Sequence, residues 1–125
     1  MAKITYSHTA DEKTKFRSKK PWKEFRALLL ETRGARCECC GCKYTSKRQR
    51  FLHLHHLYPS QYDILIPENF RFLCSSCHES VELLAVRLIS KSKTLIRETK
   101  WLALYGEFIP KEGPAGEYLK ETNYL

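Results

Sequence analysis

The sequence predicts an α+β fold: an amphipathic helix, two short strands joined by a long connection, and a long helical segment, held together by paired cysteines. Three observations predict it. The apolar residues follow a helical period before residue 34, alternate two by two around residues 52–55, and return to a helical period after residue 75. Two Cys-x-x-Cys pairs bracket the alternating stretch. A length of 125 residues with 42% apolar content is enough for one core and too little for two.

Residues 1–19 carry Lys3, Lys13, Lys15, Arg17 and Lys19 with little apolar periodicity, and are read as an extended or mobile basic arm. Pro21 suits a first helical position, Trp22, Phe25, Leu28 and Leu29 follow at helical spacing, and Gly34 supplies a stop. That is a helix of about three turns. A cysteine-rich turn follows, Cys37-Glu38-Cys39-Cys40-Gly41-Cys42, with Lys43, Lys47, Arg48 and Arg50 behind it. Leucine and histidine alternate from Leu52 to His55, the signature of a strand with one apolar face. A loop through Pro59, Asp63 and Pro67 leads to a second strand, Phe70-Arg71-Phe72-Leu73. From Ser75 a stripe of Val81, Leu84, Ala85, Leu88, Leu95, Ile96 and Leu102 runs to about Tyr105, as one helix or as two divided at Ser90-Lys91-Ser92-Lys93. Pro110, Gly113, Pro114 and Gly116 predict an irregular tail over 107–125, pinned by Tyr118, Leu119 and Tyr124, leaving 20–106 as the domain proper.

Charge narrows the partners. Residues 1–62 hold 14 basic and 5 acidic side chains, whereas residues 63–125 hold 8 and 9. A polycationic half concentrates polyanions and binds phosphate by releasing counterions, so nucleic acid is the first partner to consider. No apolar run approaches the roughly 20 residues of a membrane span. The N-terminal residues lack an apolar signal segment, which predicts a chain kept in a reducing cytoplasm and therefore six cysteines that are not disulfides.

The pairs Cys37 with Cys40 and Cys74 with Cys77 stand about thirty residues apart, the arrangement a tetrahedral zinc site needs. Cys39 with Cys42 offers an equally spaced alternative register, and Gly41 favours the first. Such a site is closed, so any chemistry falls to the histidines. His55 and His56 are neighbours on a strand and point to opposite faces, so one can bind a metal while the other meets water. His78 follows Cys77 at a helix start, and the cysteine clamp brings it toward them. His53 shares the alternating face of His55 and is an extra donor; Glu82, a turn after His78, is read as a solvated side chain.

Arg36-Cys37-Glu38-Cys39-Cys40-Gly41, Leu54-His55-His56-Leu57-Tyr58-Pro59, Pro67-Glu68-Asn69-Phe70 and Leu73-Cys74-Ser75-Ser76-Cys77-His78 together resemble the HNH endonucleases, over about residues 33–82. The resemblance implies a ββα-metal core with a structural zinc on Cys37, Cys40, Cys74 and Cys77. It implies His56 as general base, Asn69 as the residue orienting the loop and the base, and His55 and His78 as ligands of a catalytic divalent ion such as Mg2+ or Mn2+. DNA is then the substrate, with Arg48, Arg50 and Arg71 as phosphate contacts and weak sequence preference. The small size suggests a frequent cutter or a subunit of a larger phage or host assembly. The rival expectation is a non-catalytic zinc module that binds nucleic acid or a protein, for example a phage inhibitor of a host enzyme. A redox role for Cys-x-x-Cys fits poorly, because no βαβ setting surrounds it.

Overall fold

The computed structural model describes residues 10–89 and 101–121. Its elements are α1 (Ala10–Arg17), α2 (Lys20–Arg33), β1 (His53–His56), β2 (Phe70–Leu73), α3 (Ser75–Ile89), a helical stretch at 101–105 (α4) and α5 (Gly113–Glu121). Single 3-10 turns at Gln49–Phe51, Pro59–Gln61, Pro67–Asn69 and Gly106–Phe108 fill the connections. The mixture of helices with a small two-stranded sheet is the expected α+β class. None of the described helices is long and apolar enough to cross a membrane.

The strands pair antiparallel, with His53 opposite Leu73, Leu54 opposite Phe72, His55 opposite Arg71 and His56 opposite Phe70. Because strand side chains alternate, this register sorts the hairpin into two faces. Leu54, His56, Phe70 and Phe72 share one face, and His53, His55, Arg71 and Leu73 share the other. Helix α2 covers the first: Trp22, Phe25 and Leu29 are buried with Leu52, Phe70 and Phe72. The Trp22 stripe is thus core, as its spacing indicates. Helix α3 and the C-terminal segment cover the second face, where Leu73, Val81, Leu84, Ala85 and Leu88 join Leu102, Phe108, Ile109, Ala115 and Leu119.

Two arginines tie the loops to this frame. Arg26 on α2 donates to the carbonyls of Gln49 (3.0 Å) and Leu52 (2.6 Å), fixing the turn into β1. Arg33 donates to the carbonyls of Phe70 (2.7 Å) and Pro67 (2.6 Å) and meets Glu38 at 3.2 Å. Glu38 in turn pairs with the outer edge of β2, accepting from the Phe72 N–H at 2.6 Å and donating its own N–H to the Phe72 carbonyl at 2.7 Å. The edge of the sheet is thereby closed by the cysteine-rich turn.

Both ends of the chain depart from expectation. The arm is helical from Ala10 to Arg17 rather than extended; residues 1–9 lie outside the described residues. Asp11 and Glu12 open this helix and Lys15 and Arg17 close it, in the sense that the helix dipole favours. Its apolar anchor is Phe16, which meets Trp22 and Tyr62 edge-on, with ring centroids 6.1 and 5.5 Å away. The tail is ordered rather than irregular. Gly113 and Pro114, read as breakers, instead start α5, since a proline at the first helical turn removes a donor that would have no partner. Ala115, Tyr118 and Leu119 then face α3 at helical spacing. The interruption at Ser90–Lys93, with Leu95 and Ile96, falls outside the described residues, as does Tyr124.

Gly116 is where α5 touches the backbone of the segment before it. A Cβ there would stand 2.6 Å from the Lys111 carbonyl carbon and 2.8 Å from the Pro110 oxygen. Gly116→Ala must therefore push α5 off that segment, at about 1–3 kcal/mol. Thermal unfolding should fall by roughly 5 °C or more, and an unchanged melting temperature would contradict this packing.

Candidate metal centre and histidine cluster

Residues 36–43 form a tight turn with Arg36 and Lys43 bridged across it. The Cys37 N–H donates to the Cys42 carbonyl and the Gly41 N–H to the Cys37 carbonyl, each at 2.9 Å. Gly41 takes φ 81°, a left-handed conformation that side-chain-bearing residues adopt at a cost. The second turn is the step from β2 into α3, where the His78 N–H donates to the Cys74 carbonyl at 2.9 Å. Each turn aims an N–H at its first sulfur: Cys40 N to Cys37 Sγ at 3.5 Å, and Cys77 N to Cys74 Sγ at 3.4 Å.

The ligand atoms of Cys37, Cys40, Cys74 and Cys77 all lie within 4.8 Å of one another, and Cys40 Sγ stands 3.8 Å from Cys74 Sγ. A tetrahedron with metal–sulfur bonds of about 2.3 Å has edges of about 3.8 Å, so the donors fit a structural metal such as zinc. The choice between registers is resolved for the pair Cys37 and Cys40. Cys39, whose Sγ is 3.7 Å from the Leu104 carbonyl and which also reaches Cys77, and Cys42, which lies beside Cys40 and Cys74, border the cluster without joining the four sulfurs that all lie within 4.8 Å of one another. The thiols cannot ionise together unaided. Cys40 is lowered to about 6, chiefly by the Cys42 backbone N–H, while burial pushes Cys77 up. A cation among them removes that conflict.

The histidines occupy both faces of β1. His55 is buried, and its Nε2 lies 2.6 Å from the Phe108 carbonyl. Nε2 must carry the proton to make that bond, which leaves Nδ1 as the lone pair. His55 and His78 have ring centroids 5.0 Å apart. His53, given by the alternation only as an extra donor, comes closest: its Nδ1 lies 2.8 Å from His78 Nδ1. On the far side of the His78 ring, Nε2 is 3.4 Å from Glu82 Oε1, so Glu82 is less detached than expected although its side chain is 67% exposed. The donor atoms of these histidines do not converge on one point as the sulfurs do; among the described residues only the four cysteines form such a group.

His56 points the other way. It stacks on Trp22 with centroids 5.6 Å apart and planes 3° from parallel, and meets the edge of Phe70 at 5.0 Å. Burial, with the charges of Lys13, His55, Arg17 and His78 behind it, lowers His56 to about 3. His55 is lowered to about 4, again first by burial. Both imidazoles are therefore neutral at pH 7.

This has a consequence for stability, because the unfolded chain binds protons at these positions from about pH 6.5 downward while the folded chain resists until about pH 4 and 3. Their contribution to stability is complete above pH 6.5 and is lost as pH falls below it. By pH 5 each imidazole should have cost up to about 2 kcal/mol. Denaturant midpoints should drop between pH 7 and pH 5, and the drop should be shallower in His56→Gln; identical slopes would place His56 in a solvated setting instead.

The Asn69 backbone closes the long loop: its carbonyl accepts from the Leu57 N–H at 2.9 Å, joining the loop to the end of β1. Arg71 lies beside His55 across the sheet, and its Nη1 donates to the Glu68 and Phe70 carbonyls at 2.8 and 2.7 Å. Arg48 and Arg50 are exposed, five and three residues before His53, both over the ring of Phe51. Phe108 was missed by sequence reasoning, since a carbonyl fifty-three residues from His55 leaves no local signal. No match to the chain was found among family models, curated proteins or solved structures.

Proposed function

We propose that the chain is a metal-dependent endonuclease of the HNH kind that hydrolyses DNA phosphodiester bonds. The observation that carries this reading is the approach of His78, from the first turn of α3, to the β1 histidines on the same side of the sheet. The cysteine cluster, with zinc bound, fixes that approach because Cys74 and Cys77 belong to the same turn as His78.

Ring nitrogens on this face of the sheet are the proposed donors to a catalytic divalent ion, although they do not yet converge on one point. His55 donates Nε2–H to a backbone carbonyl, which leaves its Nδ1 lone pair, and His78 turns Nε2 toward a carboxylate while its Nδ1 shares a hydrogen bond with His53 Nδ1 that a bound ion would have to replace. The Nδ1 atoms of His53 and His78, 2.8 Å apart, are close to the ~3 Å that separates adjacent ligands at about 2.1 Å from an ion. His78 and His55 are the proposed ligands, with His53 as a further donor. A bound ion of this kind would stabilise charge on the phosphate and the departing oxygen. Arg71, on the same face, is the proposed contact for a phosphate oxygen.

His56 is the proposed base. His56 follows His55 at the end of β1 but presents its ring on the opposite face, against Trp22 and Phe70, so a phosphate held by His55 and His78 would have to reach it around the end of the strand. The neutral ring can take a proton from water, and stacking on Trp22 holds its orientation. Negative charge entering the site raises the proton affinity that burial has lowered. Asn69 secures the loop against the end of the strand.

The second reading is a non-catalytic zinc module that binds nucleic acid or protein. The low proton affinity of His56 favours it, since an effective base titrates near the working pH. Plasmid nicking with Mg2+, Mn2+ or Ni2+, comparing the native chain with His56→Ala, separates the two. Cleavage by the native chain alone, with zinc content and DNA affinity retained in the variant, supports the endonuclease. Binding without cleavage by either protein supports the module, and equal cleavage by both shows that His56 is not the base.

A further inference from the structure

We propose that Phe51, with Arg48 and Arg50 beside it, is a stacking platform for an unpaired base of a nucleic-acid strand. The inference rests on nucleic acid as the substrate class and goes beyond it by naming a base-binding residue. Phe51 is 50% exposed at the tip of the turn leading into β1. Its exposure is built into the backbone. Arg26 pins the carbonyls of Gln49 and Leu52 on either side, and the Leu52 side chain is buried against α2. The chain is therefore fixed on both sides of the ring, while the ring projects half-exposed beneath two guanidinium groups that a base would displace toward the phosphates.

A single exposed phenylalanine needs no explanation. What sets this one apart is its charge setting. The guanidinium of Arg50 lies 4.8 Å and that of Arg48 5.9 Å from the ring centroid, both side chains are exposed, and Lys43 and Lys47 lie in the same exposed stretch. No acidic residue occurs between Glu38 and Asp63. An aromatic ring among exposed cations is the combination that binds single strands: the ring takes a base, which any of the four can supply, and the cations take the flanking phosphates. In a duplex the bases are already stacked and the ring has nothing to receive. Phe51 is two residues ahead of His53, at most about 7 Å along the chain, so a base stacked on it sits next to the phosphate that reaches the histidines.

The test is equilibrium binding of a fluorescent 12-nucleotide single strand and of its duplex, without added divalent ion, across a range of salt. Phe51→Ala should weaken single-strand binding about 10-fold, leave the slope of log K against log salt unchanged, and change duplex binding less than 2-fold. Arg48→Ala and Arg50→Ala should each reduce that slope by about 0.7, and Phe51→Trp should bind at least as well as the native chain. Metal content and melting temperature show that each variant is folded. Native affinity for the single strand in Phe51→Ala, or equal losses on single strand and duplex, would overturn the platform while leaving the endonuclease reading intact. Failure of the native chain to bind either strand would overturn both.

Discussion

Replacing Cys74 with serine is expected to release the structural metal and unfold the unit made by β1, β2 and the start of α3. Cys74 stands where β2 passes into α3 and belongs to the larger of the two buried clusters. A serine hydroxyl does not ionise to supply the missing donor, and a three-sulfur shell leaves two distant turns joined by less. Zinc sites of this type are worth about 10–16 kcal/mol in small peptides, against a net stability of about 5–15 kcal/mol for a whole domain. Losing most of the first exhausts the second. Cys39→Ser and Cys42→Ser should be mild by comparison, since neither sulfur belongs to the cluster. Metal analysis should give one zinc per chain for the native protein and for both mild variants, and well under one for Cys74→Ser. Circular dichroism should show helix lost in that variant, and in the native chain on chelation. A Cys74→Ser protein that keeps one zinc and the native melting temperature would show that the sulfurs do not form the site.

The cluster is also the part of the molecule that spacing made most legible. A Cys-x-x-Cys pair is a local constraint, because three residues can turn only in a few ways, and two such pairs need only a hairpin between them to meet. What spacing left open was which of the first four cysteines takes part, and that depends on the turn closed by Gly41. The sorting of His55 and His56 to opposite faces follows from the two-residue period alone. The tilt of Trp22 onto His56 does not, since it requires knowing that α2 lies on the His56 face. The two terminal helices were hidden for different reasons. Helix α1 has a single apolar anchor, Phe16, and eight residues give too few turns for a period to show. Helix α5 opens with glycine and proline, which mark breaks inside an element and starts at its edge. The contacts that define the histidine cluster, His53 with His78 and His55 with Phe108, span twenty-five and fifty-three residues and exist only once the chain is packed.

His56→Gln is expected to abolish nicking while leaving the fold in place, and it is a sharper probe of the proposed base than alanine. Alanine would remove both the proton acceptor and the ring that fills the space between Trp22 and Phe70, so lost activity could follow from a collapsed wall. A glutamine amide is flat enough to stack on the indole and does not accept a proton near neutral pH. General-base catalysis contributes about 10²–10⁴ in rate, so kcat should fall by that factor with DNA affinity within about 2-fold of native. His78→Ala should lose activity as well, but for another reason, and the two can be told apart. Raising the divalent-ion concentration should recover part of the His78→Ala rate, because a weakened ligand set is filled by mass action, and should do nothing for His56→Gln. If excess ion restores His56→Gln instead, the proton is taken by another group and the ring stacked on Trp22 belongs to the core rather than to the chemistry.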